Sequence, residues 1–102
     1  MYEAQKRWRK KHPKRVKEID RRKLLKHRYN ITPEQYDILL ESQDGKCAIC
    51  GGGPVGRNRL SVDHDHKTGR VRGLLCQNCN MILGNSHDDT NKLQRAIEYL
   101  NR

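Results

Sequence analysis

The chain has 102 residues, enough for one small domain and an appendage, and only 33% of them are apolar, with no Phe and a single Trp. So little surface can be buried that no second independent core is expected, and something other than a core must help to hold the fold, a disulfide set or a structural metal. Net charge is +10, and its placement says more than its size: residues 1–28 carry 13 Lys/Arg against 3 acids, so the remainder of the chain is formally neutral.

A basic arm of this density is an electrostatic footprint for a polyanion, and nucleic acid is the usual one. A solubilising tail is the bland alternative. An anionic membrane surface fits less well, because Val16, Ile19, Leu24 and Leu25 make a poor apolar stripe. Pro13 should interrupt any helix, leaving two short helical pieces at most. The arm is set at 1–30 and the rest, 31–102, is expected to form one domain.

Beyond the arm, Ile31-Thr32-Pro33-Glu34-Gln35-Tyr36 holds several helix-start signals. Thr32 suits the N-cap, Pro33 the first helical position, and Gln35 can close a capping box. With Gly45 as the stop, a helix is predicted from about 33 to 43. Gly51-Gly52-Gly53-Pro54 must be loop. Leu60 to His64 and Val71 to Leu75 read as the strands of a hairpin turning at 67–70. A short helix is expected from Gln77 to about Gly84, and Asp88-Asp89-Thr90 should cap a last one, with Leu93, Ala96, Ile97 and Leu100 at helical spacing. No run of residues is apolar and long enough to span a membrane.

The four cysteines stand as Cys47-Ala48-Ile49-Cys50 and Cys76-Gln77-Asn78-Cys79, with 25 residues between the pairs. Two Cys-x-x-Cys turns can point four thiolates at one ion, which is the pattern of a tetrahedral zinc site. Two disulfides would need an oxidising compartment, and the N-terminal residues are densely charged where an export signal would be apolar. A redox Cys-x-x-Cys would leave the other pair unexplained. Four protein ligands leave zinc no open position, so the ion is expected to be structural.

Asp63-His64-Asp65-His66 places four ionisable groups in succession at a strand end, where neighbouring carboxylates repel and strand propensity is poor. A solvated hairpin tip is the simple explanation. Against it, Asn80 directly follows Cys79, so a zinc staple would hold the next helix against the hairpin, with a carboxylate, an imidazole and an amide oxygen able to share a pocket. In a regular strand Asp63 and His64 point to opposite faces, so the chain must bend or bulge there for both to reach one phosphate. His87, beyond the short helix, reads as a surface residue near a helix cap rather than a further ligand.

Taken together, Cys-x-x-Cys-Gly, Val-Asp-His-Asp-His, Val-Arg-Gly-Leu-Leu-Cys-x-x-Cys-Asn and Leu-Gly resemble the recombination endonuclease VII family, within the His-Asn-His (HNH) nuclease group. The match covers roughly 45 to 85, and Tyr29 to Tyr36 is similar to the helix that precedes the zinc turn in that family. The resemblance implies a small α+β, zinc-stapled ββα-metal domain carrying a basic helical arm. It implies a metal-dependent DNA endonuclease in which Asp63 and Asn80 bind Mg2+ or Mn2+, His64 is the general base, and Asp65 and His66 assist. Ser61 departs from relatives that carry histidine there, which puts an extra phosphate contact in doubt. The alternative is a non-enzymatic zinc module that binds DNA or RNA. A monomer or homodimer in the cytoplasm of a bacterial or phage-infected cell is expected, with no membrane partner.

Overall fold

The computed structural model describes residues 2–56 and 58–102, and the chain divides into two compact units, 1–39 and 40–102. In the first, α1 (Tyr2–Lys11) and α2 (Pro13–Tyr29) are separated at His12. The break falls where Pro13 requires it, but α2 is a helix of 17 residues rather than a short piece. Proline at the first helical position costs no hydrogen bond, so it starts a helix as readily as it ends one, and the Lys and Arg that follow are good helix formers. At the break, Trp8 stacks on His12 with ring centroids 4.8 Å apart, and Arg9 bridges to Asp20 at 3.0 Å. Asn30, in the left-handed region at φ 56°, closes α2.

The next helix, α3 (Pro33–Ser42), has the expected reciprocal cap: Gln35 N–H donates to Thr32 Oγ1 at 3.1 Å, and Thr32 N–H donates to Gln35 Oε1 at 2.8 Å. Arg22 forks onto Glu34 at 2.6 and 3.2 Å. That pairing holds the Glu34 carboxyl at about 2, although the pair is solvated and stabilises little. Tyr36 is buried beneath the Arg21 guanidinium, 4.8 Å above its ring. Gly45, at φ 71°, stops the helix as its N–H donates to Leu40 O at 2.8 Å.

The second unit is built on an antiparallel hairpin, β1 (Ser61–His64) with β2 (Val71–Leu75), followed by α4 (Gln77–Asn85) and α5 (Thr90–Leu100). α4 packs against both strands. Leu60, Val62, Leu74 and Leu75 are buried together with Cys47, Cys76 and Cys79, so cysteine sulfur supplies part of the core. Gly84 is the expected exit of α4, but the helix runs to Asn85. Two successive non-glycine residues in the left-handed region, His87 at φ 54° and Asp88 at φ 57°, make the turn instead. Asp89 caps α5, accepting from Asn91 N–H and Lys92 N–H. Asp89→Ala should lower stability by about 1 kcal/mol, to be read from a denaturant midpoint.

Gln43 fixes the first cysteine turn to the hairpin. Its Nε2 donates to Lys46 O at 2.8 Å and Leu74 O at 2.9 Å, while its Oε1 accepts from Leu74 N–H at 2.9 Å. A side-chain amide carries both donor and acceptor, so it reproduces a peptide group beside β2. Ala48 N–H reaches the same Leu74 carbonyl at 3.1 Å. Gly73 leaves the space this needs, since a Cβ there would lie 3.1 Å from Gln43 Oε1. Gln43→Leu should cost about 2 kcal/mol, because it strips partners from part-buried peptide groups; equal thermal midpoints would refute this.

Candidate active site and metal centre

The four cysteines converge. Their Sγ atoms lie within 4.8 Å of one another, and none forms a disulfide. A tetrahedral site with Zn–S of ~2.3 Å has sulfur–sulfur edges of about 3.8 Å, and Cys50 Sγ to Cys76 Sγ is 3.8 Å. Both turns are shaped by their backbones. Cys47 N–H donates to Gly52 O at 2.7 Å, Gly52 N–H to Cys50 Sγ at 3.3 Å, and Cys79 N–H to Cys76 Sγ at 3.4 Å. Cys76 is also the N-cap of α4, so one residue is both staple and helix start.

Charge within the cluster is unevenly shared. Burial pushes the Cys47 thiol up, but backbone N–H groups around Cys50, Cys76 and Ile49 outweigh it and set it at about 6. Burial, reinforced by the other sulfurs, pushes Cys79 up to about 12. Four thiolates cannot share this space without a positive ion at their centre, and the donor set could hold a metal such as zinc.

Next to the staple, the hairpin register breaks between Asp63 and His64: Asp63 pairs with Gly73 and His64 with Val71, which leaves Arg72 as the extra residue of a β-bulge. An irregularity falls at this step, but the residue inserted is on the partner strand, and Asp63 and His64 stay consecutive in β1. The bulge brings Arg72 onto the face of Asp63. Arg72 Nε donates to Asp63 Oδ2 at 2.7 Å and Nη2 to Oδ1 at 2.9 Å, and the same Nη2 reaches Asp88 Oδ2 at 3.3 Å. Asp63 is 8% exposed and is the only buried carboxylate among the described residues. The two carboxylates hold the Arg72 guanidinium above its ordinary range, Asp63 foremost through its hydrogen bonds.

The other expected residues are distributed around this pair. His64, half-buried at the end of β1, has its ring 4.6 Å from that of His66, edge to face. Asp65 Oδ1 accepts from Lys67 N–H at 2.8 Å and Thr68 N–H at 3.3 Å, so its carboxylate caps the hairpin turn, and these bonds hold its carboxyl below the usual range. Asn80 is exposed in the first turn of α4, and its N–H donates to Cys76 O at 2.9 Å. A cavity of about 520 Å³ opens beside these residues, lined by Asp65, His66, Lys67, Arg72, His87 and Asp88 above Leu83 and Gly84. Asp63, His64 and Asn80 lie outside its lining. Asp65, His66 and His87 are thus brought to one cavity, while Asp63 meets it only through Arg72.

Two residues here were missed by sequence reasoning. In sequence Arg72 is one residue of the strand Val71 to Leu75, yet a cation across the hairpin from a carboxylate, where a bulge is needed, was a usable signal. Gln43 gave none, because a polar residue after a helix end is ordinary.

The sequence profile of the family described as recombination endonuclease VII matches residues 22–102. Two relatives are similar over the same kind of span. The "Gene 59 protein" of Mycobacterium phage D29 is 56% identical over 75 residues, covering 72% of this chain and 46% of the relative. The "Gene 59 protein" of Mycobacterium phage L5 is 52% identical over 73 residues, covering 71% and 44%. The chain spans about half the length of these curated relatives.

Proposed function

Because the chain belongs to the recombination endonuclease VII family, we propose that it is a metal-dependent DNA endonuclease of the His-Asn-His group, hydrolysing phosphodiester bonds at the corner between the hairpin and α4. The observation that carries this reading is Asp63, a carboxylate buried beside His64 at a bulge, on a strand packed against the helix that bears Asn80. A buried carboxylate demands positive charge, and the site has been built to keep one there.

In this reading the cysteine cluster holds structural zinc and fixes α4 against the hairpin, while Asp63 and Asn80 hold the catalytic cation. Mg2+ or Mn2+ so held would relieve charge on the phosphate and the leaving oxygen. His64 takes the proton from the attacking water, because imidazole is the side chain that exchanges protons near neutral pH. His66, edge-on at 4.6 Å, limits the orientations open to His64. Asp65 assists from a distance, through the turn it caps.

Helices α1 and α2 carry 13 Lys/Arg and form the DNA-binding arm in this reading. Deleting residues 1–28 should weaken DNA binding and flatten its salt dependence by about 0.9 in log–log slope for each phosphate that the arm neutralises. Equal slopes for the full and shortened chains would remove the arm from the interface.

One observation favours a second reading, a zinc module that binds nucleic acid without cutting it: both Asp63 oxygens are already engaged by Arg72. Incubating the full chain with supercoiled, linear and branched DNA in Mg2+ or Mn2+ separates the two. Nicked or cut product supports the nuclease; intact DNA in every combination, with binding retained, supports the module. Among the described residues no helix is long and apolar enough to cross a membrane, and the reading puts the chain with DNA inside a bacterial or phage-infected cell, as monomer or homodimer.

A further inference from the structure

Arg72 and Asp63 differ in their freedom to move. The Asp63 side chain is 11% exposed and lies in a paired part of β1, whereas the Arg72 side chain is 36% exposed and its residue is the extra one in the bulge, outside the ladder register. The guanidinium spans both carboxylate oxygens with a two-point fork, so it engages each oxygen that a metal would use. A second counter-ion waits beside it: Nη2 is already 3.3 Å from Asp88 Oδ2. Asp88 is held there by a turn in which it and His87 both adopt left-handed backbone, a conformation that costs a non-glycine residue on the order of 1 kcal/mol or more and persists where the surroundings impose it.

We infer that Arg72 is an exchangeable cation surrogate on Asp63, which a divalent metal must displace in order to bind, and that Asp88 retains the released guanidinium at the wall of the cavity. The inference rests on the reading of Asp63 as a cation ligand. Guanidinium and metal cannot share the carboxylate cheaply, since two like charges a few ångströms apart in a poorly solvated corner repel strongly. Swinging to Asp88 keeps the guanidinium paired, and leaves donors that faced Asp63 open to the cavity, where a substrate phosphate would meet them. Asp63 thus stays neutralised before the metal arrives, and metal loading itself exposes a phosphate-binding group. Arg72 is a positioning residue in this scheme, acting through Asp63 and Asp88.

The test is equilibrium Mn2+ binding to the full, zinc-loaded chain without DNA, followed by the electron paramagnetic resonance of free Mn2+. Asp63→Asn should abolish the site. Arg72→Gln should tighten it on the order of tenfold, the scale on which neighbours of metal ligands act. Arg72→Lys should also tighten it, by a smaller factor, because an ammonium keeps the charge but cannot fork two oxygens. Asp88→Asn should weaken it by leaving the displaced guanidinium unpaired. Retained zinc content and helical circular dichroism establish that each variant is folded, and Arg72→Lys keeps Asp63 paired should Arg72→Gln collapse. Affinity at or below the unaltered value in both Arg72 variants, with Asp63→Asn still abolishing binding, would show that Arg72 supports the ligand and overturn displacement. Tightening in Arg72→Gln but none in Arg72→Lys would uphold displacement and assign the competition to the positive charge rather than to the two-point fork. An unchanged affinity in Asp88→Asn would remove Asp88 from the scheme. Mn2+ binding indifferent to Asp63→Asn would defeat the ligand assignment itself, a separate outcome.

Discussion

Alanine in place of Cys79 should unfold residues 40–102. Cys79 is buried with Cys47 and Cys76, and the three lie among the few residues that make a core, beside Leu60, Val62, Leu74 and Leu75. A small domain has a margin of about 5–15 kcal/mol, and a structural zinc contributes on the order of 10 kcal/mol in modules of this kind. With zinc held by the cluster, as proposed, losing one ligand of four removes most of the margin. Loss of strand and α4 signal in circular dichroism, with bound zinc falling away, is the expected result. α2 needs no cysteine and should keep its helical signal. A Cys79→Ala chain with unchanged thermal midpoint and no metal would show that the cluster is dispensable. Chelation should reproduce the effect, and so should acid, because the ligands bind as thiolates and are protonated as pH falls.

His64→Ala should reduce cleavage by roughly 10²–10⁴-fold, the contribution of a positioned general base, while DNA affinity and zinc content stay as they were. Those two controls matter because His64 ends β1 directly after the buried Asp63, and a loss through misfolding would move all three readouts together. His66→Ala should cost less, since in this reading it acts through its contact with the His64 ring. Full activity in a rigorously purified His64→Ala chain would transfer the base to another group, with His66 and His87, both on the cavity wall, the next to replace.

Much of the chain from Thr32 onward could be read from sequence because its signals are local. The Thr32–Gln35 cap, the Gly45 stop and the Asp89 cap each depend on residues two to five apart, and each strand on a pattern within a run of about five. The cysteine cluster was legible for another reason: two tight turns of one residue type have few arrangements other than convergence on an ion. The length of α2 was not, since proline's two opposite effects on a helix differ only in position. Nor was the Arg72 fork. Its partners are Asp63 and Asp88, 9 and 16 residues away, and the bulge that aligns them depends on where β1 and β2 fall out of register. Asp63, His64 and Asn80 stand out in sequence as candidates by their company, but the charge already resting on Asp63 does not.

The Gln43 amide has a consequence for behaviour in concentrated solution. A two-stranded sheet has two open edges, and an open edge is a template on which another chain can add a strand. At Leu74, where both peptide groups face away from β1, Gln43 and Ala48 occupy the positions that such a strand would take. Leu74 is fully buried and lies in a run, Leu74-Leu75, that would be adhesive if bared. One polar side chain therefore doubles as a guard against self-association, and its loss should be felt first as turbidity and only then as a lower melting point.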